Sequence, residues 1–256
     1  MRVLCIGDVV GKGGREHVRK VLPKVKRDKQ IDVCVVNGEN SAQGNGITPE
    51  TAQFLFDSGA DVITGGNHTF RYREIYEMLD ENAFLLRPYN YPKGCVGHGF
   101  CTIDKGKYQV TVINLQGAVF MDPIGNPFEY LDRALEEAGN PKICIVDFHA
   151  EATAEKKALA IYGDGRISAL FGTHTHVQTA DEQLLPSQTG YITDVGMAGP
   201  FYSVIGSKPS GPIDRMRIGM PTRFTPEEGP CCMDGIIFTI DEATGRTQSV
   251  ERIQIS

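Results

Sequence analysis

No apolar stretch in the 256-residue sequence is long enough to cross a bilayer, since a spanning helix needs roughly 18 or more apolar residues in succession. The first ten residues, MRVLCIGDVV, also lack the long apolar core and small-residue cleavage site of a secretion signal, and they are typical of a first β-strand. We therefore expect a cytoplasmic protein with no membrane partner.

Cysteines at metal-ribbon spacing are missing as well. The chain has seven cysteines, an odd number, and none of them forms a C-x-x-C motif. Cys5, Cys34 and Cys144 lie inside apolar runs, where a free thiol behaves as a small hydrophobic group. The cysteine pattern thus argues against both a disulfide framework and a zinc ribbon.

Excess positive charge is also absent, because the formal net charge is −6. The one basic run, RKVLPKVKRDK at 19–29, accompanies Val18, Val21, Leu22 and Val25 at helical spacing, which indicates the solvated face of an amphipathic helix. We therefore expect no polymeric nucleic acid as a partner. A small anionic ligand held by metal ions stays compatible with this charge.

Strand-like and helix-like segments alternate along the chain, which predicts an α/β fold with parallel pairing in the first 90 residues. A hairpin turning at Lys105-Gly106 adds antiparallel pairing, so we expect mixed sheets, and TPE at 48–50 predicts a helix start. No linker divides the chain, which predicts a single domain over 1–256, and the Gly- and Pro-rich segment 196–232 is predicted to be a long surface excursion. The predicted strands are 3–6, 33–36, 61–64, 99–103, 108–114, 143–148, 168–172, 191–194 and 235–240, and the predicted helices are 14–29, 49–58, 72–82, 127–138 and 152–161.

Metal-capable side chains follow five of these apolar strands directly. Ligands of open α/β sheets bind at the carboxyl ends of strands, so we expect these side chains to converge there. They are Asp8 after RVLCIG, Glu39 and Asn40 after VCVVNG, Asn67 and His68 after VITGG, His149 at the end of ICIVDFH, and His174 and His176 in FGTHTH.

The two histidines of FGTHTHVQT stand two positions apart. If the segment stays extended, their side chains point the same way and their Cα atoms lie roughly 6.6 Å apart. Both rings can then reach one ion or two neighbouring ions. His17 and His98, by contrast, are predicted to be surface or structural residues.

The candidate ligands contain three imidazoles, two carboxylates and two amides. They are too many for one tetrahedral zinc ion and too rich in nitrogen for calcium or magnesium. Two ions sharing a carboxylate use them all, which suits manganese, iron, cobalt or zinc. Two metals about 3.5–4 Å apart stabilise in-line attack at phosphorus.

Other interpretations exist for single members of the set. Asn40 and Asn67 taken alone are typical turn residues, and His149 taken alone is typical of a hydrogen-bonded buried histidine. GDVVGKGG at 7–14 could open a nucleotide-binding loop, but it matches neither G-x-x-x-x-G-K-[ST] nor G-x-G-x-x-G. A nucleotide-binding oxidoreductase would also leave the histidine and asparagine placements unexplained.

The ordered motifs GDVVGKGG, VNGENSAQGNGIT, GGNHTF, DFHAEAT and FGTHTHVQTAD resemble those of the calcineurin-like metallophosphoesterases, and most closely the bacterial YmdB-like phosphodiesterases. The resemblance covers essentially the whole chain. The broader superfamily begins with Asp-x-His, whereas Asp8-Val9-Val10 has no histidine, and Glu39 stands where a bridging aspartate is usual. Asn40 replaces the missing histidine with an amide oxygen, which favours harder ions such as iron or manganese.

The resemblance implies a four-layer αββα sandwich of two mixed β-sheets and a dinuclear centre. Glu39 would bridge two transition-metal ions, with iron or manganese preferred and zinc or cobalt allowed. The remaining ligands would be Asp8, Asn40 and His176 for the first ion, and Asn67, His149 and His174 for the second.

We expect a hydroxide bridging the ions as nucleophile and His68, beside Asn67, as general acid, and the resemblance implies that cyclic nucleotides are hydrolysed. The substrates would be 2′,3′-cyclic nucleotides opened to 3′-nucleotides, and 3′,5′-cyclic AMP. A phosphomonoesterase such as a nucleotidase, built on the same two metals, is the first alternative. A metal-dependent regulatory binding protein is the second, although such a protein needs no proton donor like His68. A homo-oligomer is allowed, and the base-contacting walls are expected within 115–130 and 196–225.

Overall fold

The computed structural model describes residues 1–256, which fold into two mixed β-sheets with helices outside them. The seven-stranded sheet contains β1 (Arg2–Ile6), β2 (Asp8–Val9), β3 (Val33–Asn37), β4 (Val62–Thr64), β11 (Met197–Pro200), β12 (Cys231–Ile240) and β13 (Thr247–Ile255). The six-stranded sheet contains β5 (Phe100–Asp104), β6 (Gln109–Gln116), β7 (Cys144–His149), β8 (Ala169–Thr173), β9 (Gln183–Leu184) and β10 (Gly190–Ile192). The predicted mixed sheets are confirmed.

Each sheet has a parallel centre and antiparallel additions. In the first, β1, β3 and β4 are parallel, while β12 runs antiparallel to β1, β11 and β13. In the second, β6, β7, β8 and β10 are parallel, and β5 and β9 run antiparallel at the edges. The β5–β6 hairpin turns at Lys105-Gly106 as predicted, with Gly106 at φ 78°.

Three apolar layers hold the sheets and helices together. Alternate residues of a strand point to opposite faces, so Leu4 of β1 joins the cluster under the helices, and Val3 joins the cluster between the sheets. A third cluster, which includes Val146, lies between the second sheet and its own helices. The order of layers is therefore helix, sheet, sheet, helix, as the resemblance implied. The helices are α1 (Gly11–Asp28), α2 (Pro49–Asp57), α3 (Ile75–Glu81), α4 (Pro127–Glu137), α5 (Thr153–Gly163) and α6 (Ser210–Ile218).

The first two helices follow the sequence patterns that predicted them. Helix α1 buries Val18, Leu22 and Val25 and leaves its basic face outside, although it begins at Gly11 and not at residue 14. Helix α2 begins after Thr48, whose hydroxyl accepts a hydrogen bond from the Thr51 amide, with proline at the first helical position. None of the six helices combines the length and the apolarity that crossing a bilayer requires.

The prediction of a surface excursion over 196–232 is wrong in part. This segment contributes the buried strand β11 and the helix α6, and its last residues begin β12. Strand β11 has the sequence MAGP, whose glycine and proline hide its strand character. The terminal strand β13 is absent from the sequence-based assignment as well, because its residues TQSVERIQI are mostly polar.

Candidate metal centre

All eight predicted side chains lie at or just beyond the carboxyl ends of strands from both sheets, in one region. The first sheet supplies five of them and the second supplies three. Asp8 opens β2, Glu39 and Asn40 follow β3, Asn67 and His68 follow β4, His149 ends β7, and His174 and His176 follow β8.

Gly7 lets the first strand change partners just before Asp8. A Cβ atom at Gly7 would collide with the carbonyl of Gly196, so only glycine permits this close approach of two backbones. The Asp8 amide then donates to the Gly196 carbonyl at 3.2 Å, and β2 pairs with β11 while β1 pairs with β12. The step places the Asp8 carboxylate, which is fully buried, at the centre of the site.

The carboxylate of Glu39 joins the two halves of the cluster. It is fully buried, and its Oε1 lies 3.2 Å from His149 Nε2 and 3.1 Å from His68 Nδ1. The same oxygen accepts a hydrogen bond from Asn40 Nδ2 at 3.1 Å, and Oε2 accepts one from the His68 amide at 2.9 Å. No lysine or arginine pairs with this buried charge.

One half of the cluster surrounds Asp8. His176 Nε2 lies 3.5 Å from Asp8 Oδ1 and 3.2 Å from Asn40 Nδ2, and Asn40 Nδ2 donates to Asp8 Oδ1 at 3.2 Å. A half-turn about the Cβ–Cγ bond of Asn40 exchanges its amide atoms and brings Oδ1 among these groups. In that orientation Asp8, Asn40, His176 and Glu39 together present four atoms with lone pairs, a set that suits one cation.

The other half surrounds His149. Its Nε2 lies 3.0 Å from Asn67 Oδ1 and 3.1 Å from His174 Nδ1, and ligand atoms of Glu39, His149 and His174 all lie within 4.8 Å of one another. One ring N–H can donate to only one of these neighbours, whereas a cation accepts lone pairs from all of them. The chemistry of both halves therefore fits bound metal ions.

The segment from His174 to His176 is not extended, so the condition under which the two side chains would point the same way is not met. Strand β8 ends at Thr173, and the two histidines have φ values of 100° and 62°, in the left-handed region that non-glycine residues rarely occupy. The His174 amide donates to Asp8 Oδ2 at 3.0 Å, which ties the turn to the opposite sheet. The rings reach the two halves of the cluster because the backbone turns, and not because the side chains alternate.

A buried ion pair also stabilises the turn that contains His174 and His176. Asp194 Oδ2 accepts the Thr175 amide at 3.1 Å and pairs with Lys156 Nζ at 2.8 Å, with both side chains almost completely buried. Removing one member of such a pair leaves an uncompensated buried charge. Asp194 and Lys156 therefore help to keep the histidine turn in its strained conformation.

Hydrogen bonds to the second ring nitrogen orient His149 and His176. His149 Nδ1 lies 2.9 Å from Thr173 Oγ1, which itself donates to Asp147 Oδ1 at 2.7 Å, so the hydroxyl accepts the Nδ1 proton. His176 Nδ1 lies 3.1 Å from the carbonyl oxygen of Ile205. In the neutral imidazoles both contacts leave the Nε2 lone pair free to face the cluster.

Charge within the cluster favours the ionised carboxylates. Burial alone would raise the pKa of Asp8 and Glu39, but the charges and hydrogen bonds of the neighbouring histidines outweigh it and lower both pKa values. Burial would lower the pKa of His149, yet the Glu39 carboxylate raises it to about 9. Burial and the charge of His149 lower the pKa of His174 to about 4. Near neutral pH, Asp8 and Glu39 are therefore ionised and His174 is neutral, which are the forms that bind metals. His149 must release a proton before it can bind a metal.

The link from Asp147 through Thr173 to His149 gives a testable prediction. Thr173→Val removes the hydroxyl that fixes the His149 ring, and we expect about 10–100-fold weaker metal binding in a calorimetric titration of chelated protein. The matched control is Thr64→Val, because Thr64 also donates to Asp147 but does not touch His149. Equal losses in the two variants would contradict a role in orienting the ring.

Sequence reasoning missed several residues that support the cluster. Asp147 carried a usable signal, because it lies two positions before His149 in a strand and therefore faces the same side. Glu151, whose Oε2 lies 3.1 Å from His174 Nε2, and the pair Lys156–Asp194 had no such signal, since their approach depends on tertiary packing. His17 and His98 lie outside the cluster, as predicted, and contact backbone carbonyls.

A cavity of about 470 Å³ opens onto the cluster. Glu39, Asn40, His68, His174 and His176 line its inner end. Of the two segments expected to form walls, 196–225 contributes Ile205–Ser207 and Phe224, whereas none of the lining residues comes from 115–130.

Comparison with known proteins gives one consistent result. Residues 4–253 match the model of a family described as YmdB-like protein. The 2′,3′-cyclic-nucleotide 2′-phosphodiesterase of Bacillus subtilis is 45% identical over the whole of this chain and 97% of that protein.

Two solved structures have the same fold over nearly their full length. A hypothetical protein from Thermus thermophilus has a TM-score of 0.94 and 38% identity, covering 99% of this chain and 98% of that one. A phosphatase from Mycoplasma pneumoniae has a TM-score of 0.94 and 34% identity, covering 100% of this chain and 93% of that one. The chain belongs to the YmdB-like family.

Proposed function

We propose that this chain is a phosphodiesterase that hydrolyses 2′,3′-cyclic nucleotides to 3′-nucleotides with two bound transition-metal ions. The observation that carries the proposal is the buried Glu39 carboxylate, which contacts both halves of a cluster of oxygen and nitrogen donors. The activity of the Bacillus subtilis relative, 45% identical over the full chain, supports the choice of substrate.

Each half of the cluster would hold one ion. Asp8, Asn40 and His176 would bind the first, Asn67, His149 and His174 the second, and Glu39 both. The amide oxygen of Asn40 favours iron or manganese at the first site. When bound, the ions supply an activated water as nucleophile and neutralise charge on the phosphoryl group.

His68 would serve as the general acid. Its Nδ1 lies 2.9 Å from the side-chain amide of Asn40 and 3.1 Å from Glu39 Oε1, its side chain is 33% exposed, and it lines the cavity. Anchoring one nitrogen of the ring leaves the other free to face a substrate. In the proposed reaction water loses a proton to solvent as it adds to phosphorus, the bond from phosphorus to O2′ breaks, and O2′ takes a proton from His68, which regains one from solvent; the phosphate stays on O3′.

The proposal is tested by elemental analysis of purified protein and a hydrolysis assay before and after chelation. We expect close to two transition-metal ions per chain, conversion of 2′,3′-cyclic AMP to 3′-AMP, loss of activity on chelation and recovery with Mn²⁺. Comparison with 5′-AMP separates the phosphodiesterase from a nucleotidase on the same centre. Activity that survives complete removal of metal, or exclusive release of phosphate from 5′-AMP, would overturn the proposal.

A further inference from the structure

The cavity extends well beyond the predicted metal ligands. The part of the cavity away from these ligands, the outer half, is formed by two chain segments that approach each other, with Pro226 lying against Gly44. The residues of the outer half used below are Gln43, Asn45, Ile205, Ser207, Phe224 and Pro226.

Charge is confined to the inner end of this cavity. The lining carboxylates are Glu39 and Glu151, which contact the predicted ligands His149 and His174, and no lysine or arginine lines the cavity. No basic side chain lines the outer half itself, although Arg215 lies beside the Phe224 ring and Lys208 lines an adjoining cavity that shares Gln43 and Pro226. The uncharged amides and apolar walls of the outer half suit a neutral group with hydrogen-bonding edges.

Phe224 presents an aromatic side chain to this space. It is 43% exposed and belongs to none of the three apolar core clusters, so packing of the core does not account for its position. The guanidinium carbon of Arg215 lies 5.7 Å from the centre of its ring and supports it from the neighbouring helix. An aromatic side chain in a cavity beside a phosphoester site is a stacking surface for a nucleobase.

Asn45 supplies polar atoms to the same space. It lines the cavity, and its Oδ1 is buried without any hydrogen-bond partner in the protein. A buried amide oxygen without a partner is uncommon in folded proteins, and a rotation of the side chain that turns the amide into the cavity would let a ligand supply the missing hydrogen bond. Gln43, exposed two residues earlier, adds a second amide with both a donor and an acceptor.

The turn at 204–207, which forms part of the outer half, is held close to the predicted metal ligands. Val204 and Ser207 close a tight turn whose central residues, Ile205 and Gly206, have φ values of 47° and 93°. A β-branched residue in the left-handed region is a strained arrangement that surrounding contacts must maintain. The carbonyl of Ile205 contacts His176 Nδ1 at 3.1 Å, and its side chain lines the cavity, so the wall and the cluster keep a fixed separation.

We propose that the outer half of the cavity is a nucleobase subsite in which Phe224 stacks on the base and Asn45 bonds to its edge. The subsite selects a nucleoside monophosphate whose single phosphate lies at the metal cluster. This inference rests on the proposed function, because it takes the reacting phosphate to be bound beside His68.

Equilibrium binding tests the subsite without turnover. The probes are adenosine 3′-monophosphate, which is the proposed product, and methyl β-D-riboside 3-phosphate, which has the same phosphate and sugar but no base. We expect wild-type holoenzyme to bind the nucleotide at least about tenfold more tightly than the base-free compound. Phe224→Ala should reduce this ratio toward one by weakening nucleotide binding alone, and Asn45→Ala should reduce it severalfold.

The control variant is Phe201→Ala, which removes an exposed aromatic side chain of the same chain region that does not line this cavity. It should leave both dissociation constants unchanged. Phe224→Leu, which keeps apolar volume, should also lose the preference for the base if stacking is its source. Equal affinity of wild-type protein for the two probes overturns the subsite, as does an unchanged ratio in both Phe224 variants. Tight, base-dependent binding without any hydrolysis of 2′,3′-cyclic AMP supports the subsite and overturns the proposed function instead.

Discussion

Replacing His68 by alanine is expected to lower kcat for 2′,3′-cyclic AMP by about 10²–10⁴-fold, the range over which a positioned general acid acts. The alkoxide that leaves from O2′ is a strong base and needs a proton as the bond to phosphorus breaks. A p-nitrophenolate leaves readily without one. The same variant should therefore hydrolyse bis(p-nitrophenyl) phosphate at close to the wild-type rate.

Three measurements separate this role from a structural one. Metal content of His68→Ala should stay at the wild-type value, because no coordination to a metal is assigned to this side chain. His98→Ala, which removes an exposed histidine far along the chain, should be active on both substrates. A loss of equal size on the cyclic nucleotide and on the nitrophenyl ester would contradict the assignment of His68 as general acid.

The regular part of the fold could be predicted because it depends on local patterns. Alternate residues of β1 and β3 divide between two apolar clusters, and continuous apolar runs of this kind mark buried parallel strands. The strand ends then indicate where polar side chains meet, so the sequence alone groups Asp8, Glu39 and His149. The assignment of metal roles to these residues stays a prediction.

Features that depend on tertiary contacts could not be predicted in the same way. The turn at His174 and His176 has left-handed backbone angles that no local preference favours, and hydrogen bonds that its backbone amides donate to Asp8 and Asp194 maintain it. The outer half of the cavity joins Asn45 to Phe224, which are far apart in sequence. Neither segment alone carries a pattern that points to the other.

Strands β11 and β13 were missed for a related reason. Strand β11 is short and contains glycine and proline. Strand β13 is largely polar. Both become strands because β12 between them offers its backbone groups on two sides. Pairing with a neighbour supplies what local preference lacks.

Glu39→Gln should produce the second large effect, a loss of both metal ions and a fall in kcat of about 10³-fold or more, equivalent to about 4 kcal/mol of transition-state stabilisation. The substitution keeps the size of the side chain, but it removes the charge and puts an amide donor in place of one carboxylate oxygen. Elemental analysis after gel filtration measures the ions, and thermal unfolding checks that the chain still folds. Glu155→Gln is the matched control, since Glu155 is a buried glutamate that accepts backbone amides of Ala118 and Val119 outside the cluster.

The number of ions lost distinguishes a bridging carboxylate from an ordinary ligand. His174 lies in the half of the cluster around His149, so His174→Ala should retain close to one ion per chain. His176 lies in the half around Asp8, and His176→Ala should likewise retain one. Glu39 contacts both halves, so its amide variant should retain neither. Retention of one ion by Glu39→Gln would assign this carboxylate to a single half of the cluster and would remove the basis for a shared pair of metals.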